Sequence, residues 1–481
     1  MNIQLYIEIF YAIILLFVCL RIIYEVDTIS KIYSYLLVVI FLPIIGMVVY
    51  FAMGNNYRKN KLYSKKLTRN NDLFSRVRHH INQSSIAIIK DGKPSYLKDN
   101  PQLAYLLLHD KSPITKNNEV KLLLNGEETF PEIIRALKAA QNHIHIEYYI
   151  FEDDKIGCKI KDVLIEKAKQ GISVRFIYDD FGSRSIRKRI VKELKDNGVE
   201  VYRFYKINFI SLANRINYRN HRKIIVIDGE TAFVGGINIS ERYSNPNPYQ
   251  LYWRDTHIKI KGSGTANLQY IFLCDWNFCT GNQIAINESF FRTDLPTEAK
   301  VPLQIAASGP DSDSPTILYS IIQAISKAKH EVLITTPYFI PDESLINIIK
   351  IAALSGVSIK LIVPKKGDSF LVNAAACSFY SELIDAGVEI YLYTKGFIHA
   401  KTLVIDEAIA MVGTANMDIR SFELNFEVNA VIYDNNFAKE MRKAFENDLL
   451  DSIKINEKEW NERSKWKTFS EKIARLFSPL L

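Results

Sequence analysis

"HRKIIVIDGETAFVGGIN" (residues 221–238) and "HAKTLVIDEAIAMVGTAN" (residues 399–416) spell one pattern twice. Each reads His-x-Lys, four residues, Asp, six residues, then Gly-x-x-Asn. Nine histidines occur in the chain and four of them open a His-x-Lys triplet, so the triplet alone carries little. The other two, at His109 and His257, have Lys116 and Gly264 where the long motifs have Asp228 and Asp406. At average residue usage the full pattern arises by chance about once per 10⁵ histidines, so the echo is a duplication. In both copies an apolar run ("IIVI", "TLVI") leads to turn residues and a second apolar run, which predicts a β-hairpin. His221 and Lys223 are two apart and share a strand face, as do His399 and Lys401. A two-residue turn at Gly229–Glu230 sets Asp228 opposite Thr231 and His221 opposite Asn238. The same count around Glu407 and Ala408 sets His399 opposite Asn416. Asp228 and Asp406 then lie about 23 Å along the strand from their histidines, where they organise the turn or touch another element.

Around these motifs the chain alternates strands and helices. From residue 120, "VKLLL", "FPEIIRALKAAQ", "HIHIEYYIF", "KIKDVLIEKAKQG" and "SVRFIYDD" read as strand, helix, strand, helix, strand. The order returns in "ILYSIIQAISKAK", "EVLITTPYF", "SLINIIKIAALSG" and "SIKLIVP", and "DNGVEVY" is answered by "DAGVEIY". The expectation is an α/β protein of two pseudo-symmetric halves, residues 120–297 and 298–450, with the boundary near residues 287–301. Only face-to-face halves would bring both His/Lys/Asn sets into one cleft.

The N-terminus is of another kind. Residues 9–23 and 32–53 are almost wholly apolar; the second stretch is long enough to span a bilayer and the first is marginal. No basic segment precedes the first and no small-residue cleavage site follows it, which argues against a signal peptide. Residues 1–54 are therefore expected to form a transmembrane hairpin. Residues 55–119 form a basic juxtamembrane and linker region, holding Arg58, Lys59, Lys61, Lys65, Lys66 and Arg69 near its start with no acid among them. Positive charge marks the cytoplasmic side, which gives a multi-pass protein of the cell membrane with its catalytic part in the cytoplasm. That cluster accounts for much of the net charge of +8 and suits anionic lipid headgroups better than nucleic acid. Five cysteines show no metal-ligand spacing, so neither a metal nor a disulfide framework is expected. Residues 451–481 carry Trp466, Phe469, Ile473, Leu476, Phe477 and Leu480 at helical spacing with Lys467, Lys472 and Arg475 off that face; this predicts an amphipathic helix, interfacial or packed on the core.

Two lysines and two carboxamides converging on one point suit a phosphate diester held without a metal or other cofactor. Two imidazoles divide the remaining work: a neutral ring attacks phosphorus, and a protonated one serves the leaving oxygen and then the incoming alcohol or water. A nearby lysine depresses an imidazole, so each ring needs a carboxylate to orient it. The candidates are Asp255 in "YWRDTH" and Glu427 in "NFEVN". His143 and His145 share a strand face and read as core-edge residues. Tyr149, Phe151, Tyr338 and Phe339 sit at equivalent strand ends, where open α/β sheets receive ligands.

The motif pair and its two halves resemble the phospholipase D superfamily over nearly the whole chain. The N-terminal apolar pair, the basic stretch after it, "HIEYYIF", "YWRDTH" and "TPYFIPD" make the chain similar to the bacterial cardiolipin synthases in particular. The resemblance implies phospholipase-D-like α/β sandwich halves and transfer of a phosphatidyl group from one phosphatidylglycerol to another, with release of glycerol. It implies His221 as nucleophile, His399 as acid/base, Lys223, Lys401, Asn238 and Asn416 as phosphate holders, and it adds Asp228 and Asp406 to the catalytic set. Gly236 and Thr414 stand where many members carry Ser. The expected partners are the anionic phospholipid and the membrane, not nucleic acid, and an oligomer is compatible with the pattern. The same motifs would also serve a hydrolytic phospholipase D, a nucleic-acid phosphodiesterase, a synthase using another donor, or an inactive lipid-binding scaffold.

Overall fold

The computed structural model describes residues 3–26, 29–53, 84–204, 218–245, 251–282, 284, 288–292 and 299–478. The basic cluster Arg58–Arg69, Leu480 and much of the expected boundary between the halves lie outside these residues. The first half supplies β1 (Asn118–Leu124), β2 (His143–Tyr148), β3 (Ser173–Asp179), β4 (Glu200–Phe204), β5 (Lys223–Ile227), β6 (Thr231–Gly235), β7 (Tyr252–Arg254) and β8 (Thr256–Gly262). The second supplies β9 (Leu303–Ser308), β10 (Glu331–Thr335), β11 (Phe339–Ile340), β12 (Ser358–Pro364), β13 (Glu389–Tyr393), β14 (Gly396–Ile398), β15 (Thr402–Ile405), β16 (Ile409–Gly413), β17 (Met417–Asp418), β18 (Glu427–Ile432) and β19 (Ser452–Lys454). One sheet runs β1-β8-β6-β5-β2-β3-β4. The other runs β9-β18-β16-β15-β10-β12-β13, with β19 added at its edge. Element for element the orders agree, which is the duplication seen as topology.

The two sheets meet face to face. Ile224, Val226, Ala232, Val234, Ile258 and Ile260 of the first interleave with Val404, Ala410, Val412, Val428, Ala430 and Ile432 of the second in one apolar core. Burying a Val or Ile side chain fully contributes about 1.5–3 kcal/mol, so apolar burial is enough to fix the halves against each other. The alternate residues of the hairpin strands, such as Ile225 and Ile227, face the first half's own helices. Strand periodicity thus builds both the inter-half core and the outer core.

The hairpin register differs by one from the sequence count. Ile227 pairs with Thr231 and Ile405 with Ile409, so each turn has three residues. Asp228 and Gly229, then Asp406 and Glu407, take positive φ of 50° to 66°. Asp tolerates the left-handed region better than most residues, and here its carboxylate gains partners by adopting it. Asp228 accepts the backbone N–H of Gln141, Asn142 and His143 at 2.7–2.9 Å. Asp406 does the same for Lys329, His330 and Glu331 at 2.7–2.8 Å. Each Asp therefore ties its hairpin turn to the start of the neighbouring strand, β2 or β10.

At the N-terminus the order of the two apolar stretches reverses. The first is the helix Ile3–Glu25, 23 residues long and apolar enough to cross a membrane. The second breaks into the helices Ile29–Phe41 and Pro43–Met53, too short to span alone. Pro43 lacks the N–H that would continue the first of these and instead starts the next. The two fold back so tightly that a Cβ on Gly46 would lie 2.5 Å from the Val38 carbonyl oxygen. Val18, Ile22, Tyr35, Val39 and Tyr50 hold the three helices together, and Tyr50 donates to Glu25 at 2.8 Å.

Part of the expected linker is structured. The helices Ser95–Asp99 and Gln102–His109 bury Leu97, Leu103 and Leu107 in the outer core of the second half. The C-terminal stretch is not one helix: β19 extends the second sheet before the helices Glu457–Asn461 and Lys465–Arg475. In the latter Glu471 and Ala474 are buried while Trp466, Phe469, Ile473 and Leu476 are exposed. The apolar face thus points outward, and Ser34 of the N-terminal helices donates to the Leu476 carbonyl at 3.1 Å.

Candidate active site

Both His-x-Lys segments enter the contact between the halves, and backbone pairing across that contact positions them. His221 N–H donates to the Phe426 carbonyl at 2.9 Å, and Phe426 N–H donates to the Arg219 carbonyl at 2.8 Å. In the other direction β14 runs parallel to β7 with Ile398 opposite Arg254, and His399 N–H donates to the Arg254 carbonyl at 2.7 Å. The residue after each paired position is a carboxylate: Glu427 after Phe426, Asp255 after Arg254. Hence the carboxylates cross. His221 Nδ1 lies 2.9 Å from Glu427 Oε2, and His399 Nδ1 lies 2.7 Å from Asp255 Oδ2. Each half orients the histidine of the other, and in each ring Nε2 is the nitrogen left for a substrate.

Burial and charge set the state of the cluster. His399 is pushed down to about 3, first by burial and then by the Lys401 ammonium, against the pull of Asp255. His221 is lowered by burial, with Glu427 opposing and Lys223 and Lys401 adding to the fall. Burial, reinforced by Lys401, brings Lys223 down to about 7, and burial brings Lys401 to about 8. Lys223 acts on His399 and Lys401 on His221, so each set lies within electrostatic reach of the other. Each ammonium also donates to the carbonyl of its own histidine, at 2.7 Å for Lys223 and 2.5 Å for Lys401. The result is a buried cluster of two lysines, two carboxylates and imidazoles lowered by burial, in which an entering anion favours the protonated lysines.

Asn238 donates to the Tyr243 hydroxyl at 2.8 Å and accepts from Ile150 N–H at 3.2 Å. Asn416 presents a buried side-chain oxygen with no hydrogen-bond partner among the described residues. Asp228 and Asp406 do not join the cluster. Their carboxylates accept backbone N–H groups at the opposite strand ends, where each anchors its hairpin turn. His143 and His145 lie toward that same end, buried with Gln269, Phe272 and Phe290. Of the four strand-end aromatics, Tyr149 reaches the site, its ring 4.8 Å from that of His221. Phe151 and Phe339 are core residues, and Tyr338 donates to Asp368 at 2.6 Å.

Sequence reasoning missed several groups. Trp253, Tyr243 and Phe397 surround His399 with ring centroids at 5.5, 6.0 and 6.0 Å. The two positions that differ from Ser act unequally. Thr414 donates its hydroxyl to Glu427 Oε2 at 2.5 Å, whereas a Cβ on Gly236 would sit 2.1 Å from Asp255 Oδ1. Behind His221, Glu147 bonds Asn220 and Arg222 pairs with Asp275, all four buried. Neither the aromatic groups nor the Glu147, Asn220, Arg222 and Asp275 set carries a spacing signal; Trp253, two residues before Asp255, is the one hint in the sequence.

With the geometry in hand, similarity to known proteins can be set beside it. A family model described as cardiolipin synthase, PLD-like domain, matches residues 133–251 and 321–449. The chain is 39% identical over 453 residues to the major cardiolipin synthase ClsA of Bacillus subtilis (strain 168), covering 94% of each chain. It is 41% identical over 455 residues to the cardiolipin synthase of Alkalihalophilus pseudofirmus, covering 94% of this chain and 89% of that one. Among solved structures, phosphatidylserine synthase of Haemophilus influenzae Rd KW20 aligns with a TM-score of 0.59 at 14% identity, over 79% of this chain and all of that one. That last likeness speaks for the fold alone. Paired motifs, matched sheets and close relatives over nearly the full length lead to one statement: the chain belongs to the cardiolipin synthase family of phospholipase-D-like proteins.

Proposed function

We propose that the protein is a cardiolipin synthase that moves a phosphatidyl group from one phosphatidylglycerol to the glycerol hydroxyl of a second, through a phosphohistidine. The crossed pairs His221–Glu427 and His399–Asp255 carry this reading, because they put two oriented imidazoles beside two buried ammoniums. Lys223, Lys401, Asn238 and Asn416 hold the non-bridging oxygens of the diester. Its negative charge offsets the two ammoniums, so the site takes up a proton as the anion enters. Neutral His221 attacks phosphorus while His399, now protonated, gives its proton to the departing glycerol oxygen. The neutral His399 then removes the proton from the acceptor hydroxyl, which attacks the phosphohistidine and frees His221. Burial lowers both imidazoles in the substrate-free site and does not by itself assign attacker and acid. The order of attack is therefore taken from the family resemblance, and mapping the trapped phosphohistidine to residue 221 or 399 tests it.

The helix Ile3–Glu25 is the membrane anchor of this reading, with the catalytic halves on the cytoplasmic side next to the basic stretch after residue 54. The test incubates the full chain in bilayers with phosphatidylglycerol labelled in its phosphatidyl part, chelator present. Cardiolipin with stoichiometric glycerol is the expected product. Phosphatidic acid alone would mean a hydrolase, and no product a scaffold.

A further inference from the structure

The diester held by the His/Lys cluster is one anion, but the proposed reaction brings two. The acceptor lipid carries its own phosphodiester, one glycerol away from the hydroxyl that attacks. A second cationic locus beside the cluster is present. The Arg184 guanidinium lies 4.1 Å and that of Arg219 4.3 Å from the centre of the Phe181 ring, which is 37% exposed. Arg420 of the second half is close enough to act electrostatically on both Arg219 and Tyr149. Tyr149 in turn contacts His221 edge-on. Arg219 precedes His221 by two residues on an extended segment, which places their Cα atoms about 7 Å apart on one side of the chain. Asp179, which faces Arg219, accepts the N–H groups of Phe181, Gly182 and Asn220, and Asp180 pairs with Arg187. The locus also lies on the anchor side: Tyr35 of the N-terminal helices is within electrostatic reach of Tyr218 and Glu423, which neighbour Arg219 and Arg420 in sequence.

We propose that Arg184, Arg219 and Arg420 form a second anion subsite that holds the phosphodiester of the acceptor lipid beside the histidines. This rests on the synthase reading and deepens it. Free glycerol and water lack that anion, so the subsite favours a lipid acceptor over both. It is built from both halves, Arg184 and Arg219 from one and Arg420 from the other.

The experiment compares two outcomes of one phosphatidyl-enzyme in mixed micelles of fixed anionic content, using the full chain. Cardiolipin formation needs the acceptor phosphate; incorporation of labelled free glycerol into phosphatidylglycerol does not. One lost charge-assisted contact lowers the ratio of cardiolipin formation to glycerol exchange by about tenfold. That fall is expected for Arg420→Gln and for Arg184→Gln, with partial recovery in Arg420→Lys. Glycerol exchange serves as the internal measure of folding and donor binding. A parallel fall in both activities would overturn the proposal, as would no change in the ratio. Wild-type protein that exchanges glycerol but makes no cardiolipin would instead overturn the synthase reading itself.

Discussion

Replacing Glu427 by Gln removes one charge and almost no volume from the contact between the halves. In the structure Glu427 Oε2 receives His221 Nδ1 at 2.9 Å and the Thr414 hydroxyl at 2.5 Å, and Asn425 donates to Oε1 at 3.3 Å. A hydrogen bond to a charged group contributes about 1.5–3 kcal/mol. In the proposed mechanism the positive charge on His221 peaks as the phosphohistidine forms, so the loss falls on the transition state and lowers kcat by about 10- to 150-fold. A Gln amide that turns its NH₂ toward His221 would also reverse the ring's tautomer and deepen the loss. KM for phosphatidylglycerol should change little, because the lysines and carboxamides proposed to hold the diester stay in place. Rapid-quench measurement of glycerol release in the first turnover reads the step directly, alongside the thermal unfolding midpoint of the same preparation. A first-turnover rate close to wild type would refute the crossed pairing as a catalytic device; a rate loss matched by a collapse of the midpoint would reduce it to a structural one.

Four further outcomes follow from the same geometry. Gly236→Ala places a methyl group where Asp255 Oδ1 now lies, so it should displace that carboxylate from His399 and lower kcat more than Thr414→Ser, measured by cardiolipin formation. Asp228→Asn turns one acceptor of three backbone N–H groups into a donor facing Gln141 N–H; it should cost about 1–3 kcal/mol of stability by denaturant titration while activity per folded molecule changes little. With Lys223 near 7 and Lys401 near 8 in the free enzyme, raising the pH through that window removes positive charge and should lower kcat/KM. Binding of an anionic substrate analogue at pH 7.5 should take up protons, seen as a buffer-dependent heat; proton release would contradict the sign of the argument.

The duplicated motif made much of the fold legible, because a pattern that specific implies two like halves and the α/β alternation fills them in. The two His/Lys pairs that the halves bring within electrostatic reach were readable for the same reason. The register was not: a two-residue turn is the default count, and the third turn residue appears only once Asp228 and Asp406 are seen holding the neighbouring strand in left-handed conformation. The partner of each histidine was not legible either. Asp255 and Glu427 could be named from their neighbourhoods, but local pattern says nothing about which half supplies the carboxylate to which ring. At the N-terminus hydropathy registers Leu42, Pro43 and Gly46 as apolar or neutral, so a fold-back there is invisible to a window average.

The crossed carboxylates have a consequence for how the protein comes into being. While the ribosome has delivered only the first 300 or so residues, His221 exists without Glu427, and its ring lacks the group that aligns it. Competence arrives only when the last strands of the second sheet dock. A nascent or truncated chain without the second sheet thus holds His221 with no carboxylate to align it.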